Sequence, residues 1–284
     1  MLTKKFTIGL IGASKTGLSI AKNLEKAGYQ PKFVWNRTEA GLERARNYVG
    51  FEKFTTEIND LPHANVYMIS VSDDAIQLVA KKISETDQNL KDIVIFHTSG
   101  FHSSRSLEIL QKKGAITGSL HPVISIPNIE SGIDIIPDTV FTCEGPAAEQ
   151  LNKIGNLIGR KAIIINRKQK QYIHLSAVFI NNYSTAMIAA IKNLMQDKGL
   201  DIGQTEDILK KLSQQAAETW HLPIQKALTG PIVRKDLKTI QGHIKLLDNY
   251  PDLKELYRAF GKLTADLHSA ELQNIGRIFD KESE

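Results

Sequence analysis

Through the first half of the chain, short apolar runs alternate with longer segments whose apolar residues recur every three or four positions. The runs FTIGLIG (6–12), KFVWN (32–36), NVYMISVS (65–72) and DIVIFHTSG (92–100) predict buried strands, as do AITGSL (115–120), TVFTCE (139–144) and KAIIIN (161–166). The intervening segments 17–28, 38–49 and 73–84 predict helices; Ile20, Leu24 and Ala27 fall at helical spacing, and Gly28 suits the stop. Strand–helix alternation of this kind predicts a doubly wound parallel sheet. Beyond about residue 168 the strand signal ends. One long helical pattern runs to Gly199, and further helices are expected at 203–220, 236–248 and 251–279, interrupted by TGPIVRKD (229–236). The expected organisation is therefore an α/β domain over 1–166 followed by an all-α helical domain over 167–284. The long helix carries apolar residues on most faces, which predicts a central helix or a subunit interface.

Composition narrows the function. The 36 basic residues exceed the 31 acidic ones but are scattered, so a nucleic-acid face is not expected, and no apolar run is long enough for a membrane span. A lone cysteine, Cys143, forms no internal disulfide. Together with an N-terminal MLTKK that leads straight into a strand pattern, it points to a cytoplasmic protein. The histidines and acids show no metal-ligand spacing, so no metal is expected.

The segment IGLIGASKTG (8–17) carries the first candidate chemistry. Gly12, Ser14 and Gly17 occupy the three positions of the G-x-G-x-x-G dinucleotide fingerprint between a strand and a helix. Gly12 permits the tight turn, Gly17 close helix–strand packing, and Ser14 can offer a hydroxyl to a phosphate. Ala13, Lys15 and Thr16 complete the loop, whose helix N-terminus presents free N–H groups to an anion. At the end of the second strand the chain reads Asn36, Arg37 and Thr38, with no acid to grip a ribose 2′-hydroxyl. Arginine there accommodates a 2′-phosphate, which favours NADP over NAD.

Ligands of such sheets lie beyond the carboxyl ends of the strands. That rule assigns Ser70, Val71 and Ser72 to the ribose and pyrophosphate, and Thr98 and Ser99 to the nicotinamide end. His121 is placed to donate a proton or a hydrogen bond to substrate; His97, in a buried strand, is expected to be structural. On an ideal helix Lys170, His174 and Asn181 fall within about 40° of one another, with Asn182 further round. His174 and Asn182 are candidates for proton transfer and substrate orientation, and Lys170 is equally readable as a surface residue. Two functions stay open on these residues: a reductase or dehydrogenase, and a non-catalytic NADP-binding sensor or assembly module.

The succession GASKTG, NRT, VSDDAI, HTSG, GSLHP, YIHLSAVFINN and LTGPIVRKD resembles the Rossmann-like proteins with a DUF2520-type C-terminal domain. More distantly it is similar to pyrroline-5-carboxylate reductase, ketopantoate reductase and the 6-phosphogluconate dehydrogenase-like enzymes. The resemblance implies an NADP-binding domain, a helical domain that mediates homodimerisation, and an active cleft to which His121, His174, Asn182 and the GPIVRKD segment map. It implies an oxidoreductase reaction class and names no reactant; the leading expectation is hydride transfer with a small carbonyl, imine or hydroxy-acid substrate. Two positions depart from the pattern: Ser14 replaces a glycine of the fingerprint, and Lys235 replaces a glycine between Arg234 and Asp236.

Overall fold

A computed structural model describes residues 6–269 together with Leu272 and Phe279. The chain divides into two compact units, Met1–Ser184 and Thr185–Glu284. Regular strand structure ends at Ile164 and the helical run begins at Arg167, so the first helix of that run belongs to the first unit.

The first unit is built on one eight-stranded sheet: β1 (Thr7–Ile11), β2 (Gln30–Trp35), β3 (Lys53–Thr55), β4 (Val66–Ile69), β5 (Val94–His97), β6 (Ile116–Pro122), β7 (Val140–Glu144) and β8 (Lys161–Ile164). Their order is β3-β2-β1-β4-β5-β6-β7-β8. All pairings are parallel except β6 with β7, which the strand pattern alone does not reveal. Helices α1 (Lys15–Lys26), α2 (Glu39–Arg46), α3 (Ile76–Ser84), α4 (Glu108–Gln111), α5 (Ile129–Ile135) and α6 (Ala148–Ile158) cover the faces. The two-residue alternation of a strand sorts its side chains between them. Ile8, Leu10, Val34, Met68 and Phe96 pack with α1, α2, α5 and α6. Ile11, Phe33, Trp35, Tyr67, Ile69 and Ile95 pack with α3 and α4. Both faces are buried, which is why the central strands read as unbroken apolar runs.

Helix α7 (Arg167–Ala177) closes the first unit. Asn166 and Gln169 form a reciprocal capping box that fixes its start. A π-helical stretch, Val178–Tyr183, follows it.

The second unit holds α8 (Ser184–Asp197), α9 (Ile202–Ala217), α10 (Ile224–Ala227), α11 (Leu237–Leu246) and α12 (Pro251–His268). Among the described residues its buried apolar cluster holds Ile240, Ala265, Leu272 and Phe279, with Ile232, Ile244 and Tyr257 packed against it. Along α12, Leu256, Phe260, Leu263 and Leu267 are exposed at helical spacing. In the TGPIVRKD turn, Lys235 adopts φ +59°, the left-handed conformation natural to glycine. Asp236 caps α11 through the Thr239 amide.

Candidate active site

The loop after β1 is held by contacts that explain its sequence. Gly12 has φ +94°, and a Cβ there would lie 2.4 Å from Val71 Cγ1 and 2.5 Å from the Ser70 carbonyl oxygen. Only glycine satisfies both restrictions. The Ala13 amide donates to Asn36 Oδ1 (3.1 Å), and Asn36 Nδ2 in turn donates to the Thr38 hydroxyl (3.1 Å). Ser14 is the N-cap of α1: its Oγ accepts from the Gly17 amide (3.0 Å) and pairs with Ser70 Oγ (2.7 Å). The side chain at the middle fingerprint position is thus folded back onto the protein, which is how a residue larger than glycine is accommodated there. Gly17 packs against Ser70, whose Cβ would stand 2.6 Å from a Cβ at 17. Thr16 is half-buried in the first turn of α1, and the Lys15 ammonium donates to the Pro127 carbonyl (2.5 Å).

These residues open onto a cleft of about 340 Å³, lined by Gly12, Ala13, Ser14, Asn36, Arg37, Thr38, Ser70, Val71 and Ser72. Arg44 and Lys82 also line it, and neither is marked by the fingerprint. Arg44 donates to the Ala13 carbonyl (2.9 Å) from α2, and Lys82 stands one turn beyond Leu78 on α3. Trp35 is 6% exposed and donates from Nε1 to the Thr56 carbonyl, and it also lines the cleft. A positively charged wall beside a turn that has no room for a Cβ suits an extended anionic ligand.

A second cluster forms where β5 ends. Ser70 Oγ contacts Thr98 Oγ1 (2.9 Å), extending the Ser14–Ser70 contact across three strands. The next three residues then each receive a group from elsewhere. The Thr98 carbonyl accepts from His121 Nδ1 (3.1 Å) and the Ser99 carbonyl from Lys170 Nζ (2.7 Å). Gly100 lies under the rings of His121 and His174, whose centroids are 6.0 Å apart. Ser99 Oγ donates to Asp73 (2.9 Å) and accepts from the amides of Phe101 and His102.

Lys170 is 1% exposed, so the structure decides against the surface reading. Burial brings its pKa down to about 8, opposed by the negative charges of Glu144 and Asp73. Burial and then the charge of Lys170 push His121 down to about 4. His97 is pushed down to about 3, mainly by burial; its Nε2 donates to the Ser103 carbonyl (3.1 Å), a structural contact. His174 is half-buried. Asn182 is exposed on the π-helical turn, its side-chain oxygen accepting from Asn181 (3.2 Å). The structure thus gathers Thr98, Ser99, His121, His174 and Lys170, while Asn182 projects from a different turn. Among the described residues, no group of His, Cys, Asp and Glu is arranged to hold a metal ion, and no helix is long and apolar enough to cross a membrane.

A glycine-turn cradle at the switch of a parallel sheet, with a polar cluster beside it, defines a Rossmann-like α/β protein with a helical C-terminal unit. Family comparison agrees: residues 1–122 match the Rossmann-like domain and residues 139–264 match the domain of unknown function DUF2520, so the chain carries both domains. No curated protein matches it. Among solved structures, a "putative NADP oxidoreductase" from Bacteroides fragilis is 24% identical over 93% of this chain and 98% of its own, with a TM-score of 0.76. A protein from Thermotoga maritima is 25% identical over 93% of this chain and 99% of its own, with a TM-score of 0.67. An imine reductase from Myxococcus stipitatus, solved with NADP+, is 15% identical over 92% of this chain and 93% of its own, with a TM-score of 0.69. At such identities the likenesses to the oxidoreductase and the imine reductase concern the fold.

Proposed function

We propose that the protein is an NADP(H)-dependent oxidoreductase that transfers a hydride to or from a small carbonyl, imine or hydroxy-acid substrate. The observation that carries this reading is the convergence of His121, Lys170 and His174 on Thr98–Gly100, directly joined to the cradle through Ser70. The nicotinamide, when bound, supplies the hydride chemistry. The chain's own residues supply the rest. The 12–17 loop and the N-terminus of α1 hold the pyrophosphate, with Ser70, Val71 and Ser72 along the adjoining ribose. Arg37 and Thr38 take the 2′-phosphate, and Arg44 and Lys82 add positive charge to that wall. Thr98 and Ser99 border the nicotinamide end. Lys170 pins the 98–100 turn, His174 at its rim moves the proton, and Asn182 orients the substrate from a π-helical turn, an irregularity frequent at functional sites.

The protein acts in the cytoplasm as a homodimer through its helical domain. Supporting the dimer, Leu256, Phe260, Leu263 and Leu267 of α12 are exposed, and the buried apolar cluster that the helical unit shows among the described residues is small.

Fluorescence titration with NADPH and NADH, using Trp35 at the cleft wall, tests the reading. NADPH should bind at least tenfold tighter, about 1.4 kcal/mol, and Arg37→Ala should remove the difference. Failure of both nucleotides to bind at millimolar concentration overturns it. Tight binding without turnover of any carbonyl, imine or hydroxy acid leaves an NADP-binding module that is not an enzyme.

A further inference from the structure

A second cleft, of about 750 Å³, lies in the first unit and shares no lining residue with the nucleotide cradle. Its walls come from the turn Ser104–Leu107, from α4, from the end of β7 and from the first residue of α7. Most of the charge on these walls is already matched. Glu144 is buried, and its carboxylate accepts from the Ser104 amide (2.7 Å), the Ser104 hydroxyl (3.0 Å) and the Ser119 hydroxyl (3.4 Å). The buried Lys170 ammonium offsets its negative charge. Lys112 is paired with Glu108 (2.9 Å). Arg105 and Arg167 remain. Both are exposed, and neither has an ion pair or a side-chain hydrogen bond among the described residues. Arg105 reaches Glu108 only through its field. Arg167 stands in the first turn of α7, where the helix end adds partial positive charge and no acid offsets it.

We propose that this cleft binds a small organic anion of two or more charges, a polycarboxylate or a phosphate ester, between Arg105 and Arg167. Each guanidinium is a planar fork of donors that matches a carboxylate or a phosphate with paired, charge-assisted bonds. Two unpaired forks from elements far apart in sequence meet at one cleft, and the carboxylate beside them is neutralised from within the protein, so it does not turn an anion away. The cleft has more than twice the volume of the cradle's, room for an organic ligand and not only a lone ion. Ser104, hung on Glu144, ends the segment that begins at Thr98, so this cleft and the candidate active site share one loop. The site itself does not depend on the oxidoreductase reading.

The test uses the full chain without nucleotide, labelled with 15N-arginine, with the Nε signals of Arg37, Arg105 and Arg167 assigned through single alanine variants. Citrate and glycerol 2-phosphate are titrated at low ionic strength, with acetate at equal ionic strength as the singly charged control. At least one of the two should shift Arg105 and Arg167 to saturation, and the tighter of them names the source of the oxyanion. Acetate should shift them far less. Arg105→Ala combined with Arg167→Ala should weaken binding by about tenfold or more, while Arg37→Ala leaves it as in the wild type. If the double variant does not fold, the shifts in the wild-type chain decide alone. The proposal is overturned if neither anion moves both signals by about 10 mM, if acetate moves them as strongly, or if the response follows Arg37 and survives the double substitution. No nucleotide enters the experiment, so its failure is separate from a failure of NADPH to bind.

Discussion

Replacing His97 by glutamine should make the protein less sensitive to mild acid. The His97 ring is fully buried, and its Nδ1 has no hydrogen-bond partner among the described residues. Its pKa is pushed down to about 3, against 6.5 for the free side chain. Below pH 6.5 the unfolded chain takes up a proton that the folded ring refuses, so stability falls as pH falls, and it continues to fall until about pH 3. The slope is about 1.4 kcal/mol per pH unit, which from pH 6.5 to 5 amounts to about 2 kcal/mol. Glutamine retains an N–H for the Ser103 carbonyl and does not titrate. His121, with its own depressed pKa, contributes a similar slope to both proteins and cancels in the comparison. The assay is urea unfolding at pH 7.5 and 5.0, followed by Trp35 fluorescence in a Trp220→Phe background so that the signal reports the first unit. Whatever the two proteins' difference at pH 7.5, it should shift by about 2 kcal/mol in favour of His97→Gln at pH 5.0. Parallel pH profiles would refute the assignment of a buried, proton-refusing ring.

Three further outcomes are expected. Gly17→Ala would force a Cβ to within 2.6 Å of Ser70 Cβ and 2.9 Å of Leu10 Cδ1, costing about 1–3 kcal/mol in calorimetry and weakening NADPH binding; an unchanged melting temperature would contradict the packing. Lys235→Gly should relieve a left-handed conformation costing roughly 1–2 kcal/mol and raise the urea midpoint of the helical unit, and a lowered midpoint would show that the lysine holds the turn. Phe260→Glu, placing a charge in the exposed α12 stripe, should convert a dimer to a monomer in sedimentation analysis; a wild type that is itself monomeric removes the basis for the dimer.

What the sequence reveals depends on how local the cause is. The buried strands are legible because both faces of the sheet are covered, and the cradle because its glycines answer to a tight turn. Strand β3 escapes detection: it has three residues, one of them Lys53, at the sheet edge. Helices α5 and α6 also pass unassigned between strand candidates, although Leu151, Ile154 and Ile158 hold helical spacing. The burial of Lys170 is invisible in a helix pattern, where lysine reads as surface, because its partner is the carbonyl of Ser99 on a distant loop. Arg44 and Lys82 reach the cleft from helices whose spacing to the fingerprint carries no signal. The grouping of Lys170, His174 and Asn181 assumes an unbroken α-helix, and the π-helical turn at 178–183 changes the phase after Ala177.

The row of hydroxyls running from Ser14 through Ser70 to Thr98 behaves as a set of tumblers in a lock. Each oxygen owns one proton, and Ser14 already spends a lone pair on the Gly17 amide. If an anion draws the Ser14 proton outward, Ser70 must give its own to Ser14, and Thr98 must then give its own to Ser70. A single event at the first strand thereby fixes every orientation as far as the third. Thr98 is left with only lone pairs for its remaining neighbour, so it greets a donor and repels an acceptor. Occupancy at one end of the row would be legible at the other with no movement of the backbone at all.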